Sequence, residues 1–185
     1  AASGAVAAAN KQQTLVTFTF FALVTGVGGG TLRDLLIGAP VFWVGNSAIL
    51  LVVLIVTLLI WVTPQSWWRG QMLDWFDAAG LAAYSVFGTA KALEFGVDPM
   101  PAVVMGVITA CAGGIIRDML AGEPSIILRP EIYVTAAALA AGLFVIMDLA
   151  RTPTPVAATI AALGGFILRG LAIRYNVALP AYRGA

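Results

Sequence analysis

Two charge pairs lie in stretches of this chain that are otherwise apolar enough to cross a membrane. Arg33-Asp34 follows Gly28-Gly29-Gly30, and Arg117-Asp118 follows Gly113-Gly114, at one fixed offset of 84 residues. Ionised side chains inside a bilayer face the bundle interior or a hydrated path, because hydrocarbon does not solvate them. Glycines beside them let a helix bend or another backbone approach closely. These residue types indicate chemistry with ions rather than covalent catalysis.

The two charge pairs belong to an internal duplication. Eight of the sixteen positions from 25 to 40 are identical to the residues 84 positions later, Thr25 and Thr109 among them. Chance gives roughly one or two identities in such a window. Each copy supplies three spans, and an odd number turns the second copy upside down in the membrane. We therefore expect the two glycine-rich phrases to meet near the membrane midplane.

Composition excludes several classes of protein. The chain is 61% hydrophobic and 10% charged, whereas soluble domains carry about 25% charged residues. The formal net charge of +1 gives no electrostatic footprint for nucleic acid. The chain has no histidine and one cysteine, Cys111, which leaves zinc sites, disulfide frameworks and Ser/His/Asp catalysis without their parts. We predict a membrane protein that is not an enzyme and holds no cofactor or metal, with Cys111 as a packing residue.

Seven apolar segments predict an all-α membrane protein. Residues 1–63 form repeat one, residues 73–149 form repeat two, and residues 155–177 form a seventh helix. Segment 1–9 is shorter than the roughly 20 residues that a span needs. Position 1 aligns with Ser85, inside the fourth segment, so we expect the native chain to begin at least about a dozen residues earlier. The predicted segments are approximately 1–9, 14–37, 45–63, 73–95, 100–121, 131–149 and 155–177.

Basic residues of the short loops predict the orientation. Arg151 is the clearest basic loop residue on one side, and the other side holds more of them. By the positive-inside rule, the C-terminus lies in the cytoplasm and the N-terminus outside. The basic residues on the C-terminal side are Lys11, Arg69, Arg129, Arg174 and Arg183.

The duplicated phrase predicts an ion site between two interrupted helices. Breaks at Gly28-Gly29-Gly30 and Gly113-Gly114 would release carbonyl groups, which together with the hydroxyls of Thr25 and Thr109 could replace part of a cation's hydration shell. Close helix packing through small residues is the alternative reading of a single glycine pair.

The charges beside the glycines need partners. Adjacent residues point about 100° apart around a helix, so Arg33 is not expected to pair with Asp34. We therefore predict reciprocal pairs between the repeats, Arg33 with Asp118 and Arg117 with Asp34.

Lys91 is an additional charge in the fourth predicted span. A mobile lysine in the membrane field would make opening voltage-dependent, because one charge across 100 mV is worth about 2.3 kcal/mol. The alternative is a lysine that extends to the interface beside Glu94.

The paired phrases resemble those of the prokaryotic trimeric intracellular cation (TRIC) channels. The resemblance includes Asp77-Ala-Ala-Gly80, Gly88-Thr-Ala-Lys91 and the arrangement of three, three and one spans. It implies a homotrimer in which each subunit conducts a monovalent cation, potassium or sodium, along helices 2 and 5, which are kinked at their glycines. It also implies that Lys91 is a voltage-sensing residue. Copy two departs from the pattern at Ala112, which stands where copy one has Gly28.

Two functions remain open from the sequence. The first is a passive potassium channel in a prokaryotic inner membrane, with membrane lipid as a partner that could also be bound. The alternative is a secondary transporter of a small zwitterion such as glycine, because inverted repeats with interrupted helices serve both functions.

Overall fold

Seven α-helices make up most of this chain, as seen in a computed structural model that describes residues 1–68, 71–128 and 131–180. Short 3₁₀ turns at Gln65–Trp68 and Ile126–Leu128 and one isolated β-bridge between Glu131 and Ala178 are also present in these ranges. Arg69, Arg129 and Arg183, on which part of the predicted orientation rests, lie outside the described residues. The helices are α1 (Ala2–Asn10), α2 (Leu15–Leu36), α3 (Ser47–Val62), α4 (Met72–Glu94), α5 (Pro99–Ala121), α6 (Val134–Leu149) and α7 (Thr154–Tyr175).

Local signals in the sequence explain where several helices begin and end. The Thr14 hydroxyl accepts a hydrogen bond from the amide of Thr17 at the start of α2, and the Asn46 side chain caps α3 in the same way. Such caps satisfy amide groups that have no partner within the helix. Gly38 and Gly122 adopt left-handed φ angles of 68° and 67°, two residues after the end of α2 and one residue after the end of α5. Glycine adopts these angles without strain, which ends both helices at equivalent positions.

Among the described residues, three helices are long and apolar enough to cross a membrane, namely α2, α5 and α7. The shorter helices α3 and α6 are also apolar. Many large apolar side chains of α3 are exposed, for example Leu51 at 58% and Leu59 at 57%. Exposing such a surface to water costs free energy, whereas exposing it to lipid does not. The chain is an integral membrane protein with the all-α fold predicted from its sequence.

Helices α2 and α5 cross in antiparallel fashion at the duplicated glycines. A Cβ atom at Gly29 would overlap the carbonyl oxygen of Thr109, and a Cβ atom at Gly113 would overlap the carbonyl oxygen of Thr25. The two contacts are equivalent, because the 84-residue offset relates Gly29 to Gly113 and Thr25 to Thr109. Position 29 therefore meets position 109 while the later position 113 meets the earlier position 25, as antiparallel packing requires. The expected meeting of the two phrases is confirmed by these contacts.

The expected interruption of these two helices is wrong. Helix α2 is continuous from Leu15 to Leu36, and α5 is continuous from Pro99 to Ala121. Glycine, unlike proline, keeps its amide donor, so the helical hydrogen bonds survive. The glycines act through their missing side chains, which let the two backbones touch. A kink at the glycines remains a prediction.

Candidate ion pathway

Each copy of the duplicated phrase builds the same helix end around its aspartate. The Asp34 carboxylate accepts a hydrogen bond from the amide of Phe42 at 2.9 Å, and the Asp118 carboxylate accepts one from the amide of Ile126 at 2.8 Å. Both bonds span eight residues, across the loop that the left-handed glycine opens. The aspartates thereby fix the loops that follow α2 and α5, and they stay buried at 0% and 7% exposure.

The predicted pairs between the repeats are wrong. Nη2 of Arg33 donates to Oδ1 of Asp34 at 2.7 Å, and Nη2 of Arg117 donates to Oδ1 of Asp118 at 2.8 Å. The 100° separation describes where the side chains leave the helix. It does not limit a guanidinium group, whose long stem lets it reach back around the helix to the next residue. Each arginine therefore pairs within its own copy.

Helix α4 adds one charge to each pair, and the two added charges have opposite sign. Nζ of Lys91 donates to Oδ1 of Asp34 at 2.8 Å, and Nη1 of Arg117 donates to Oδ1 of Asp77 at 2.5 Å. We call Arg33, Asp34 and Lys91 the Asp34 cluster, and Arg117, Asp118 and Asp77 the Asp118 cluster. The first holds two cations and one carboxylate, whereas the second holds one cation and two carboxylates. The two clusters are therefore formally positive and negative.

The two clusters lie toward opposite ends of α4. Asp77 and Lys91 are 14 residues apart, which corresponds to about 21 Å at 1.5 Å per residue. The crossing of α2 and α5 lies between them. This separation is also why the arginine of one copy does not reach the aspartate of the other. Lys91 pairs with Asp34, with its side chain 17% exposed, and both the voltage-sensing role and the extension to the interface stay predictions.

Residues of the Asp118 cluster line two separate cavities. The central cavity has a volume of about 180 Å³ and is lined by Thr25, Gly29, Thr109 and Gly113 at the helix crossing, by Asp77 of α4, and by Ala1, Ala2 and Ser3. The vestibule has a volume of about 190 Å³, and Arg117 and Asp118 are among its lining residues. Since Asp77 lines one cavity and Arg117 the other, their ion pair lies between the two cavities. The remaining polar residues of the vestibule are Asn10, Lys11, Asp74 and Glu123.

Two polar atoms at the central cavity lack hydrogen-bond partners. Oγ1 of Thr25 and Oδ2 of Asp77 are buried and unpartnered within the described ranges. Buried polar atoms normally have partners, and bound water or an ion is one explanation of an exception. The Thr109 hydroxyl differs, since it donates to the carbonyl of Met105 at 2.6 Å. Because α2 and α5 are continuous, hydroxyl and carboxylate oxygens are available here in place of the released carbonyls that we expected.

Proteins of similar sequence are bacterial membrane proteins. A UPF0126 membrane protein of Vibrio cholerae is 38% identical, over 98% of this chain and 77% of its own length. The UPF0126 inner membrane protein YadS of Escherichia coli K12 is 36% identical, over 98% of this chain and 90% of its own.

Solved structures identify the family. The TRIC trimeric intracellular cation channel orthologue from Rhodobacter sphaeroides matches with a TM-score of 0.87 and 39% identity, over 95% of this chain and 92% of that one. The chain belongs to the TRIC family. A second TRIC cation channel matches with a TM-score of 0.88 and 30% identity, over 100% of this chain and 92% of that one. A family model described as "Glycine transporter" matches residues 1–65 and 74–149 of the TRIC chain.

Sequence reasoning gave no site role to Asp77, Tyr133 or Arg169 of this TRIC chain. Asp77 and Arg169 are 8% and 1% exposed and lie within α4 and α7. An ionisable residue inside a span is by default a candidate for function, and this signal was available for both. Tyr133 gave no such signal, because nothing in its neighbourhood along the chain indicates that its ring is 1% exposed beside the Asp118 cluster.

Proposed function

We propose that this TRIC protein is a passive channel for monovalent cations, with potassium as the principal ion and one path in each subunit. The observation that carries the proposal is the central cavity, where the unpartnered oxygens of Thr25 and Asp77 lie at a space lined by α1, α2, α4 and α5. Oxygen ligands of this kind replace part of the hydration shell of a cation. The cavity has room for several water molecules, so an ion would pass partly hydrated.

The Asp118 cluster controls one end of this path in the proposal. Its excess carboxylate attracts cations, and the Arg117–Asp77 ion pair blocks the step between the central cavity and the vestibule. Opening then requires the Arg117 side chain to move away from Asp77 while it keeps its bonds to Asp118. The arginine is held at Nε and Nη2 by Asp118 and at Nη1 by Asp77, so only one of its contacts has to break.

The Asp34 cluster is the proposed voltage-sensitive end. Lys91 carries a charge that is partly buried in the membrane region and joined to Asp34 by an ion pair. A field that pulls Lys91 away from Asp34 would change the charge near the path. Each charge crossing the full potential contributes about 2.3 kcal/mol per 100 mV, enough to compete with one buried contact.

The assembly and the location complete the proposal. The matched Rhodobacter protein is described as trimeric and as a cation channel, and the matched Escherichia protein as an inner membrane protein. We propose a homotrimer in a bacterial inner membrane, with the C-terminus in the cytoplasm and lipid bound to its apolar faces. The matched structures are channels rather than enzymes, which supports a protein without catalytic activity.

A glycine transporter is the second candidate, favoured by the description of the matching family model and by the ion pair between the central cavity and the vestibule. A transporter holds its substrate in an occluded site and exposes it to one side at a time. The purified protein in a planar bilayer distinguishes the two functions. Unitary potassium currents support the channel, whereas saturable glycine uptake into proteoliposomes without unitary currents supports the transporter.

A further inference from the structure

Arg169 connects the seventh helix, which lies outside the duplication, to the segment before α6. The residue is 1% exposed. Its Nη2 donates to Oε2 of Glu131 at 2.6 Å, and its Nη1 donates to the carbonyl oxygen of Ile132 at 3.4 Å. Its guanidinium carbon lies 5.3 Å from the ring centroid of Tyr133, within the range of a cation–π interaction. Three consecutive residues thus hold one buried arginine.

Tyr133 carries this connection to the Asp118 cluster. A Cβ atom placed at Gly114 would lie 2.8 Å from the Tyr133 hydroxyl oxygen, 3.6 Å from Oδ1 of Asp77 and 3.7 Å from Nη2 of Arg117. The three groups therefore surround one point above Gly114. The ring itself packs in a buried cluster with Leu81 and Cys111, so the hydroxyl has little freedom to leave.

We propose that Arg169 is a positioning residue for the Arg117–Asp77 ion pair and that it acts through Tyr133. Arg169 fixes the ring, and the ring holds the hydroxyl beside the Asp77 carboxylate and the Arg117 guanidinium. A hydrogen bond from this hydroxyl to Asp77 would keep the ion pair closed between the two cavities. Within the described parts of the chain, the Asp34 cluster has no equivalent tyrosine, since the position 84 residues before Tyr133 is Ile49. The expected effect on current rests on the proposed channel function. The Arg169–Tyr133 connection does not, because it rests on packing alone.

Tyr133→Phe and Arg169→Gln test the effect on current. Tyr133→Phe keeps the ring under Arg169 and removes only the hydroxyl. We expect each variant to raise the open probability about fivefold. The loss of one hydrogen bond of ordinary net strength changes the equilibrium between closed and open states by about this factor. The unitary conductance should not change, because neither residue lines the central cavity or the vestibule. The double variant should open no more than the stronger single variant, because both changes act through one hydroxyl.

Arg174→Gln is the matched control, since Arg174 is an exposed residue near the end of the same helix. It should gate like the parent protein. Arg169→Lys keeps the charge but loses the planar group that lies over the ring, and we expect it to gate like Arg169→Gln. A parental open probability in Tyr133→Phe, or additive effects in the double variant, would overturn the proposal.

Labelling of Cys111 gives a readout that does not depend on current. It is the only cysteine of the chain, is 4% exposed and packs in the same cluster as Tyr133. In the intact protein, Arg169→Gln should label severalfold faster with a maleimide than the parent protein, while Tyr133→Phe should label at the parental rate. Parental labelling in Arg169→Gln overturns the proposed positioning. If the parent protein passes no unitary current, the channel proposal fails instead, and the labelling rates alone decide whether Arg169 positions Tyr133.

Discussion

Replacing Gly29 with alanine tests the closeness of the α2–α5 crossing. The added methyl group would overlap the carbonyl oxygen of Thr109, which belongs to the backbone of a packed helix and does not rotate away. Forcing one extra carbon into a packed interior costs about 1–3 kcal/mol. The helix must move as a whole to relieve the overlap, so we expect a cost toward the upper end of that range.

Gly28→Ala is the matched stability control for this substitution. A Cβ atom at Gly28 meets only the terminal Cδ1 of Ile116, at 3.0 Å, and a side-chain end yields easily. Copy two already has Ala112 at the equivalent position. Both substitutions gain about 1 kcal/mol of helix propensity, so the difference between them isolates the backbone contact.

The assay is the melting temperature of the purified protein in detergent. A cost of about 1–3 kcal/mol corresponds to a melting temperature about 2 to 12 °C lower for Gly29→Ala than for Gly28→Ala in a chain of this size. Gly29→Leu should also suppress unitary currents, because Gly29 lines the central cavity. Gly142→Ala, at a glycine with open space around it, controls for handling of the variants. Equal melting temperatures for the two alanine variants, with parental currents in Gly29→Leu, would refute the reasoning.

Three further substitutions test the two charge clusters. Lys91→Gln should flatten the dependence of open probability on voltage, measured in a planar bilayer, and an unchanged slope would remove Lys91 as the sensor. Asp77→Asn should lower the unitary potassium conductance in dilute potassium chloride. The loss should be smaller at high salt, because salt screens the field of the Asp77 carboxylate. An equal loss at both salt concentrations would contradict an electrostatic role. Asp34→Asn leaves the buried Arg33 and the partly buried Lys91 poorly compensated and should destabilise the protein by about 3–5 kcal/mol. The control Lys11→Gln breaks an exposed pair with Glu123 and should cost about 0–1 kcal/mol. Similar melting temperatures for these last two variants would show that burial of the Asp34 cluster has been misjudged.

The helices follow from the sequence because their limits are set locally. The predicted segment 14–37 became Leu15–Leu36, and the predicted segment 100–121 became Pro99–Ala121. In both cases an apolar run ends at a glycine that adopts a left-handed angle, followed two residues later by a proline. These residues act within one turn of the helix end, so they are visible without any tertiary contact.

The contact between the two phrases also follows from the sequence, but the charge pairing does not. An odd number of spans per copy was enough to predict that the glycines meet, as Gly29 does with Thr109. The partner of each arginine depends instead on side-chain reach and on which residues α4 places at each cluster. Lys91 and Asp77 lie outside the duplicated phrase, so the duplication does not predict their partners. The contact between Arg169 and Tyr133 depends on how α7 packs against the rest of the chain. Such tertiary packing cannot be predicted from local sequence patterns.

The most direct test of the central claim is a cysteine placed in the central cavity. Cys111→Ala removes the natural cysteine, and Thr25→Cys then offers a single thiol where we propose that the ion passes. A positively charged methanethiosulfonate added during recording should block the unitary potassium current of the double variant and leave the Cys111→Ala protein unaffected. An undiminished current after mass spectrometry has confirmed modification at position 25 would contradict permeation between α2 and α5.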